Sequence, residues 1–238
     1  MSTILLKFAS PLQAWGTDSN FNIRHTDFHP SKSAVIGMIG GAMGLRRDDD
    51  KEFQALNDLD FGVRVDQIGN MMSDYQIVRY GEKVGDVHLT HRYYLEDSIF
   101  LVALASSDEN LMENIEYALK HPYFQLFLGR KSVPINADYF LEKNNKSPLE
   151  NLKTYPWLAS KWYRKKEPRN LSIFADVDLV GDKAQNFGEM RKDRVVSFSR
   201  KDRIFKYRKE VRVDIPLGDV YKKEDIDSEH DIFGSIWE

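Results

Sequence analysis

Cysteine is absent from the 238 residues. That excludes disulfides and thiolate metal sites, and it fits a reducing compartment. No apolar run approaches the roughly 20 residues that a bilayer span requires, so a membrane is not an expected partner. The first residues also lack the basic region, long apolar region and small-residue cleavage site of a secretory signal, which makes the cytoplasm the expected address. Internal repeats and low-complexity tracts are missing as well. With 42% hydrophobic and 30% charged residues, the composition is that of a globular protein with a substantial core.

The charge is unevenly spread. The net value is −3, which by itself argues against a polyanionic partner. Residues 161–212, however, hold 16 Lys or Arg against 8 Asp or Glu, and residues 214–238 hold 8 acids against 2 bases. This asymmetry predicts a basic face suited to a polyanion and an acidic face suited to solvent or a protein. A solvated surface of paired charges is the plainer alternative.

Hydrophobic periodicity predicts a strand over 3–9, a helix from Ser31 or Ser33 to about Gly44, a second helix over 51–59 and an alternating strand over 61–68. Strands over 75–80 and 87–95 flank a glycine-bounded tip at 81–85. A continuous apolar run at 98–105 reads as a buried strand, 109–121 as an amphipathic helix and 124–128 as a short strand. Without the hairpin the order is β-α-β-β-α-β. The predicted fold is therefore α+β: a ferredoxin-like domain over 1–132 with a β-hairpin thumb protruding at about 69–95. A smaller, irregular β-rich portion over 133–238, with strands near 171–177 and 194–199, packs on it. Such folds host many functions, RNA binding among them.

Ser31-Lys32-Ser33 invites a phosphate-loop reading, but the glycines follow the lysine rather than preceding it, so nucleotide hydrolysis is not expected. A weaker possibility survives, in which hydroxyls, a lysine and free N–H groups at a helix start hold an isolated phosphate. Gly37, Gly40, Gly41 and Gly44 are better assigned to close helix packing. Among the histidines, His88 and His91 fall on opposite faces of a strand, and His25 and His29 share a loop without a third ligand. Neither metal nor cofactor is expected. One of His25, His88 or His91 could still serve a metal-independent ribonuclease as general acid or base.

Aromatic and basic residues interleave along the hairpin at Asp74-Tyr75-Gln76, Arg79-Tyr80 and His91-Arg92-Tyr93-Tyr94, and again near Gly129-Arg130-Lys131. This supplies rings for base stacking and cations for phosphates on one projecting arm.

Several segments in order carry a family resemblance: Pro11-Leu12-Gln13-Ala14-Trp15-Gly16, Pro30-Ser31-Lys32-Ser33-Ala34-Val35-Ile36-Gly37, Leu45-Arg46-Arg47-Asp48-Asp49, Phe61-Gly62-Val63-Arg64-Val65-Asp66, Asp74-Tyr75-Gln76, His91-Arg92-Tyr93-Tyr94-Leu95 and Leu128-Gly129-Arg130-Lys131-Ser132. Together they resemble the CasD family of type I-E CRISPR-associated Cascade subunits, within the RAMP superfamily. The match covers residues 4–132 and is less distinct beyond them. It implies a non-catalytic, RNA-binding subunit in antiviral defence that caps the 5′ handle of CRISPR RNA. The thumb would contact the backbone subunit, with the large subunit alongside and target DNA engaged only through the complex. The implied RNA-binding residues are Gln13, Trp15, Arg24, Ser31, Lys32, Ser33, Arg46, Arg47, Arg130 and Lys131, with Tyr75, Gln76, His91, Arg92 and Tyr93 at the thumb base. The alternative is a metal-independent endoribonuclease that processes repeat RNA, as a related subtype does.

Overall fold

The structure is a computed structural model that describes residues 1–16, 22–79, 81, 85, 87–166, 168–181 and 187–221. Tyr80, residues 82–84 of the expected hairpin tip at 81–85 and the acidic tail beyond 221 lie outside the described residues.

Four strands form the centre. They are β1 (Ser2–Ala9), β4 (Asp60–Gln67), β7 (Ile99–Ser106) and β8 (Phe140–Asn144), in the spatial order β4-β7-β1-β8 with every neighbour antiparallel. Helices α1 (Lys32–Ala42) and α2 (Asp50–Asn57) connect β1 to β4, and α3 (Glu109–Lys120) connects β7 to β8. The order and directions are those of a ferredoxin-like sheet. Ile4, Leu6, Phe8, Phe61, Val63, Phe100, Val102 and Leu104 bury one face of it under the three helices. Leu5, Leu101 and Ala103 point the other way, into a second apolar layer with Leu152 and Trp157. Because both faces are covered, β7 reads as a continuous apolar run rather than an alternating one, and β1 carries three successive apolar residues at Ile4, Leu5 and Leu6.

The fourth strand is not where the sequence pattern places it. Residues 124–128 form only an isolated bridge, Phe127 to Pro134, and β8 takes the edge position beside β1. Leu126 and Leu128 are buried, but as single anchors in a turn that Gly129 closes at φ +88°. Half-buried β8 has no clean period, so its pattern was silent.

Beyond it, α4 (Pro148–Thr154) and α5 (Lys161–Arg164) cover the second apolar layer. Next come β9 (Asn170–Asp176), the single turn α6 (Val177–Val180), β10 (Glu189–Ser197) and β11 (Ile204–Pro216). Strand β9 pairs with β4 and β11 with β9, leaving β10 at the edge, so one seven-stranded sheet runs through residues of both halves of the chain.

The thumb is built from β5 (Asn70–Arg79) and β6 (Val87–Glu96), paired at ten positions from Asn70↔Glu96 to Arg79↔Val87. Two short strands, β2 (Leu12–Gln13) and β3 (Ile23–Arg24), flank the lower part of β6. Loops before and after them are thereby tied to the thumb base. Of the helix glycines, Gly40 lies under the Phe53 ring and Gly37 faces Phe198, whereas none of the described residues would crowd a side chain at Gly41.

Candidate nucleic-acid interface

Strand β3 runs parallel to β6, with Ile23 beside His91 and Arg24 beside Arg92. On the other side, the turn containing Gly129 docks on the backbone of Ala14, whose N–H donates to the Leu128 carbonyl at 3.2 Å. Glycine is required there: a Cβ at position 129 would overlap the Ala14 carbonyl oxygen, and φ lies in the left-handed region. That docking delivers Arg130 to the thumb base. Its Nη2 donates to the carbonyls of Arg24 (3.1 Å) and Tyr93 (3.2 Å), and its guanidinium lies 4.2 Å from the centre of the Tyr94 ring.

Three arginines, Arg24, Arg92 and Arg130, therefore share one patch, although they are distant in sequence. Among the described residues no carboxylate forms an ion pair with any of them. Arg92 Nε and Arg130 Nη1 are shielded from solvent and have no acceptor among the described residues. An orphaned charged donor costs free energy, of the order of 1–3 kcal/mol or more. The His25 and Tyr93 rings stack beside them, 5.3 Å apart and 15° from parallel. Lys131 is exposed on the same turn, and Tyr75, 64% exposed, tilts against His91 one strand over. Gln76 is half-buried and donates to Asp74. The arrangement sets arginines without carboxylate partners beside exposed rings, as a single-stranded nucleic acid requires.

Other expected site residues lie elsewhere. Gln13 is fully buried; its amide donates to the Ser98 carbonyl at 2.7 Å and its oxygen accepts from the Trp15 indole at 3.1 Å. Trp15 is buried and stacks on Phe8 at 5.5 Å. Both have their functional atoms engaged internally. Arg46 and Arg47 are exposed beyond the C-terminal end of α1.

The start of α1 departs most from the phosphate-holding expectation. Ser31, Lys32 and Ser33 are buried. Asp193, on β10, already occupies the helix start: its carboxylate accepts from the Lys32 backbone N–H at 2.8 Å. The Lys32 ammonium is paired with Asp176 at 2.9 Å. A protein carboxylate thus stands where an anion was expected, because a free helical N–H in the interior must be satisfied from somewhere.

That contact belongs to a buried ionic network which sequence reasoning missed. Arg208 forms a two-pronged pair with Asp193 (2.9 and 2.8 Å) and reaches Asp176 (2.8 Å) and Glu210 (2.7 Å). Arg191 donates to Asp27 (2.8 Å) and to the His29 ring (2.7 Å). Burial alone would push Asp193 up, but the Arg208 hydrogen bond and the Arg208 and Arg191 charges outweigh it and hold Asp193 below the usual carboxylate range. Burial raises Glu210 despite the same arginines. His29, stacked on Phe174 at 3.9 Å, is driven down to about 3 by burial and then by Arg191, so it is neutral. The available signal was the i,i+2 spacing of Arg191 with Asp193 and of Arg208 with Glu210, which puts opposite charges on one face of each strand. Part of the basic excess of 161–212 is thus spent internally.

Comparison with known proteins follows the same outline. The family model for CRISPR-associated protein (Cas_Cas5) matches residues 3–210. The chain is 32% identical to the CRISPR system Cascade subunit CasD of Escherichia coli (strain K12) over 157 residues, covering 59% of this chain and 70% of that protein. A chain of a solved CRISPR RNA-guided surveillance complex superposes with a TM-score of 0.75 at 26% identity, over 92% of this chain and 93% of that one. A crystal structure described as a Cas protein gives 0.67 at 30% identity, over 92% and 98% respectively.

Proposed function

Because the chain belongs to the CRISPR-associated Cas5 family, we propose that it is the Cascade subunit that grips the 5′ handle of CRISPR RNA, without cutting it, in antiviral defence. The observation that carries this reading is the cluster of Arg24, Arg92 and Arg130, exposed or half-buried and without a carboxylate partner among the described residues, beside the stacked His25 and Tyr93 rings. Phosphate oxygens would supply the anionic partners that these guanidinium groups lack. Charge-assisted bonds to them are short and strong, and they hold the strand in register. Exposed rings of Tyr75 and His91 extend the surface up the thumb for unstacked bases.

The site narrows to Arg24, Arg92, Tyr93, Arg130 and Lys131, with Tyr75, Gln76 and His91 above them. Arg46 and Arg47 remain exposed candidates for a second contact. Gln13, Trp15, Ser31, Lys32 and Ser33 act through the frame that positions these groups. The thumb also exposes Ile77 and Leu89, a cross-strand pair 59% and 53% accessible. This apolar patch suits burial against the adjacent backbone subunit. No helix among the described residues is long and apolar enough to cross a membrane.

The test is binding of labelled CRISPR repeat RNA in the presence of EDTA. Intact RNA is expected, with an affinity that falls with salt at a log-log slope of about −0.7 per neutralised phosphate. Replacing Arg92 and Arg130 together by Ala removes charge-assisted bonds of about 1.5–3 kcal/mol each, about 3 kcal/mol or more in all, a loss of roughly a hundredfold or more. A defined cut abolished by replacing His25, His88 or His91 would instead establish the ribonuclease. Unchanged affinity in the double variant would remove the proposed grip.

A further inference from the structure

The segment Lys161-Trp162-Tyr163-Arg164-Lys165-Lys166 contains α5 and plays no part in the thumb-base site. Its inward side is fixed. Tyr163 is buried and its hydroxyl accepts from the Ile68 N–H at 3.3 Å. Arg164 donates to the carbonyls of Ala159 (3.0 Å) and Trp157 (3.1 Å). The preceding residue, Ser160, is held through both its N–H and its hydroxyl by the Gln67 side chain at 3.0 and 2.6 Å. Gln67 ends β4 and Ile68 leads into the thumb, so these bonds anchor α5 at the thumb root.

The outward side is different. Trp162 is 53% exposed, yet its ring is not loose: it meets Tyr163 edge-on at 5.6 Å, and the Lys166 ammonium sits 5.4 Å from its centre. Lys165, Lys166 and Arg169 are exposed and form no ion pair with a carboxylate among the described residues. A half-exposed indole held in place, with an ammonium against its ring and further exposed cations in the next residues, is a stacking platform joined to a phosphate-attracting surface. Two other occupants fit less well. A single ring on a one-turn helix offers too little apolar area to insert in a lipid surface. A DNA duplex keeps its bases stacked within the helix and gives the indole nothing to stack on.

We propose that α5 is a second contact for single-stranded RNA, with Trp162 stacking on a base and Lys165 and Lys166 meeting flanking phosphates. The inference rests on the reading of the thumb base as an RNA site and extends it. Arg92 lies four positions along β6 from the root pair Asn70↔Glu96, about 14 Å of extended strand. A strand gripped at Arg92 and Arg130 therefore needs only a few more nucleotides to reach α5.

The experiment uses the full chain and two fluorescein-labelled, repeat-derived single-stranded RNAs of about seven and about fourteen nucleotides, lengths chosen to span one and two such contacts. The triple variant W162A/K165A/K166A alters only exposed side chains. It is expected to bind the longer RNA about tenfold more weakly, with a salt slope reduced by about 1.4 for two lost phosphate contacts, and to bind the shorter RNA as the parent does. W162F, which keeps a ring, is expected to recover part of the loss. R92A/R130A is expected to weaken both RNAs. If the triple variant binds the longer RNA as the parent does while R92A/R130A still weakens both, the α5 contact is overturned and the thumb-base site stands. If the parent binds neither RNA, both readings fail together.

Discussion

His29 gives the network around α1 a measurable signature. The histidine titrates at 6.5 when free and at about 3 in the folded protein, where burial and Arg191 oppose its protonation. A folded-state value below the unfolded one means that acid favours the unfolded chain. The stabilisation is complete above about pH 6.5 and is lost as the pH falls towards about 3. Between about pH 8 and about pH 5 the unfolded histidine gains nearly a full proton and the folded one almost none, which costs roughly 2 kcal/mol. Glu210 has the opposite sign, since burial raises it and its protonation in acid relieves a cost. It is present in both proteins of the comparison. Urea unfolding of the parent and of His29→Gln at the two pH values isolates the histidine, because the glutamine oxygen can still accept from Arg191 without binding a proton. The parent is expected to lose roughly 2 kcal/mol more than the variant on acidification. Equal losses in the two proteins would refute the assignment of a neutral, buried His29 locked under Arg191.

Two further substitutions test the frame around the site. Arg64 is fully buried, forks onto Asp66 at 2.5 and 2.9 Å and donates to the carbonyls of Leu152, Tyr155 and Pro156. Replacing it by Met leaves the Asp66 charge buried and should cost about 3–5 kcal/mol by chemical denaturation; a loss below about 1 kcal/mol would show that the clamp contributes little. Gly129→Ala forces a Cβ into the Ala14 carbonyl at a left-handed φ. The turn must shift, at a cost of the order of 1–3 kcal/mol, and Arg130 with it. RNA affinity should fall about as far as in an Arg130→Ala variant, whereas parental affinity would mean that the turn does not set the position of Arg130.

Much of the fold was legible because its signals are local. The apolar runs of β1 and β7, the amphipathic α3 and the turn residues between β5 and β6 depend on neighbours a few positions away, and chain order then restricts the sheet to a ferredoxin-like arrangement. Strand β8 was not legible, since a half-buried edge strand carries no period and its identity is set by pairing with β1 across the sheet. The thumb-base residues were nominated by an ordered family pattern and by the interleaving of rings with cations. The same pattern also nominated Lys32, Ser31 and Ser33, whose residue types suit an anion site equally well.

What the sequence determined by itself was which side chains were available: arginines and rings along a hairpin, a lysine with hydroxyls at a helix start, a basic stretch over 161–212. Tertiary structure decided which of them have partners. Asp193 and Asp176, more than 140 residues downstream, satisfy the helix start and Lys32, whereas no carboxylate among the described residues reaches Arg92 or Arg130. A charge buried beside an opposite charge is already neutralised within the fold, whereas an arginine without a carboxylate partner keeps its charge for a ligand. That distinction lies in distances between residues remote in the chain, and neither composition nor spacing contains it.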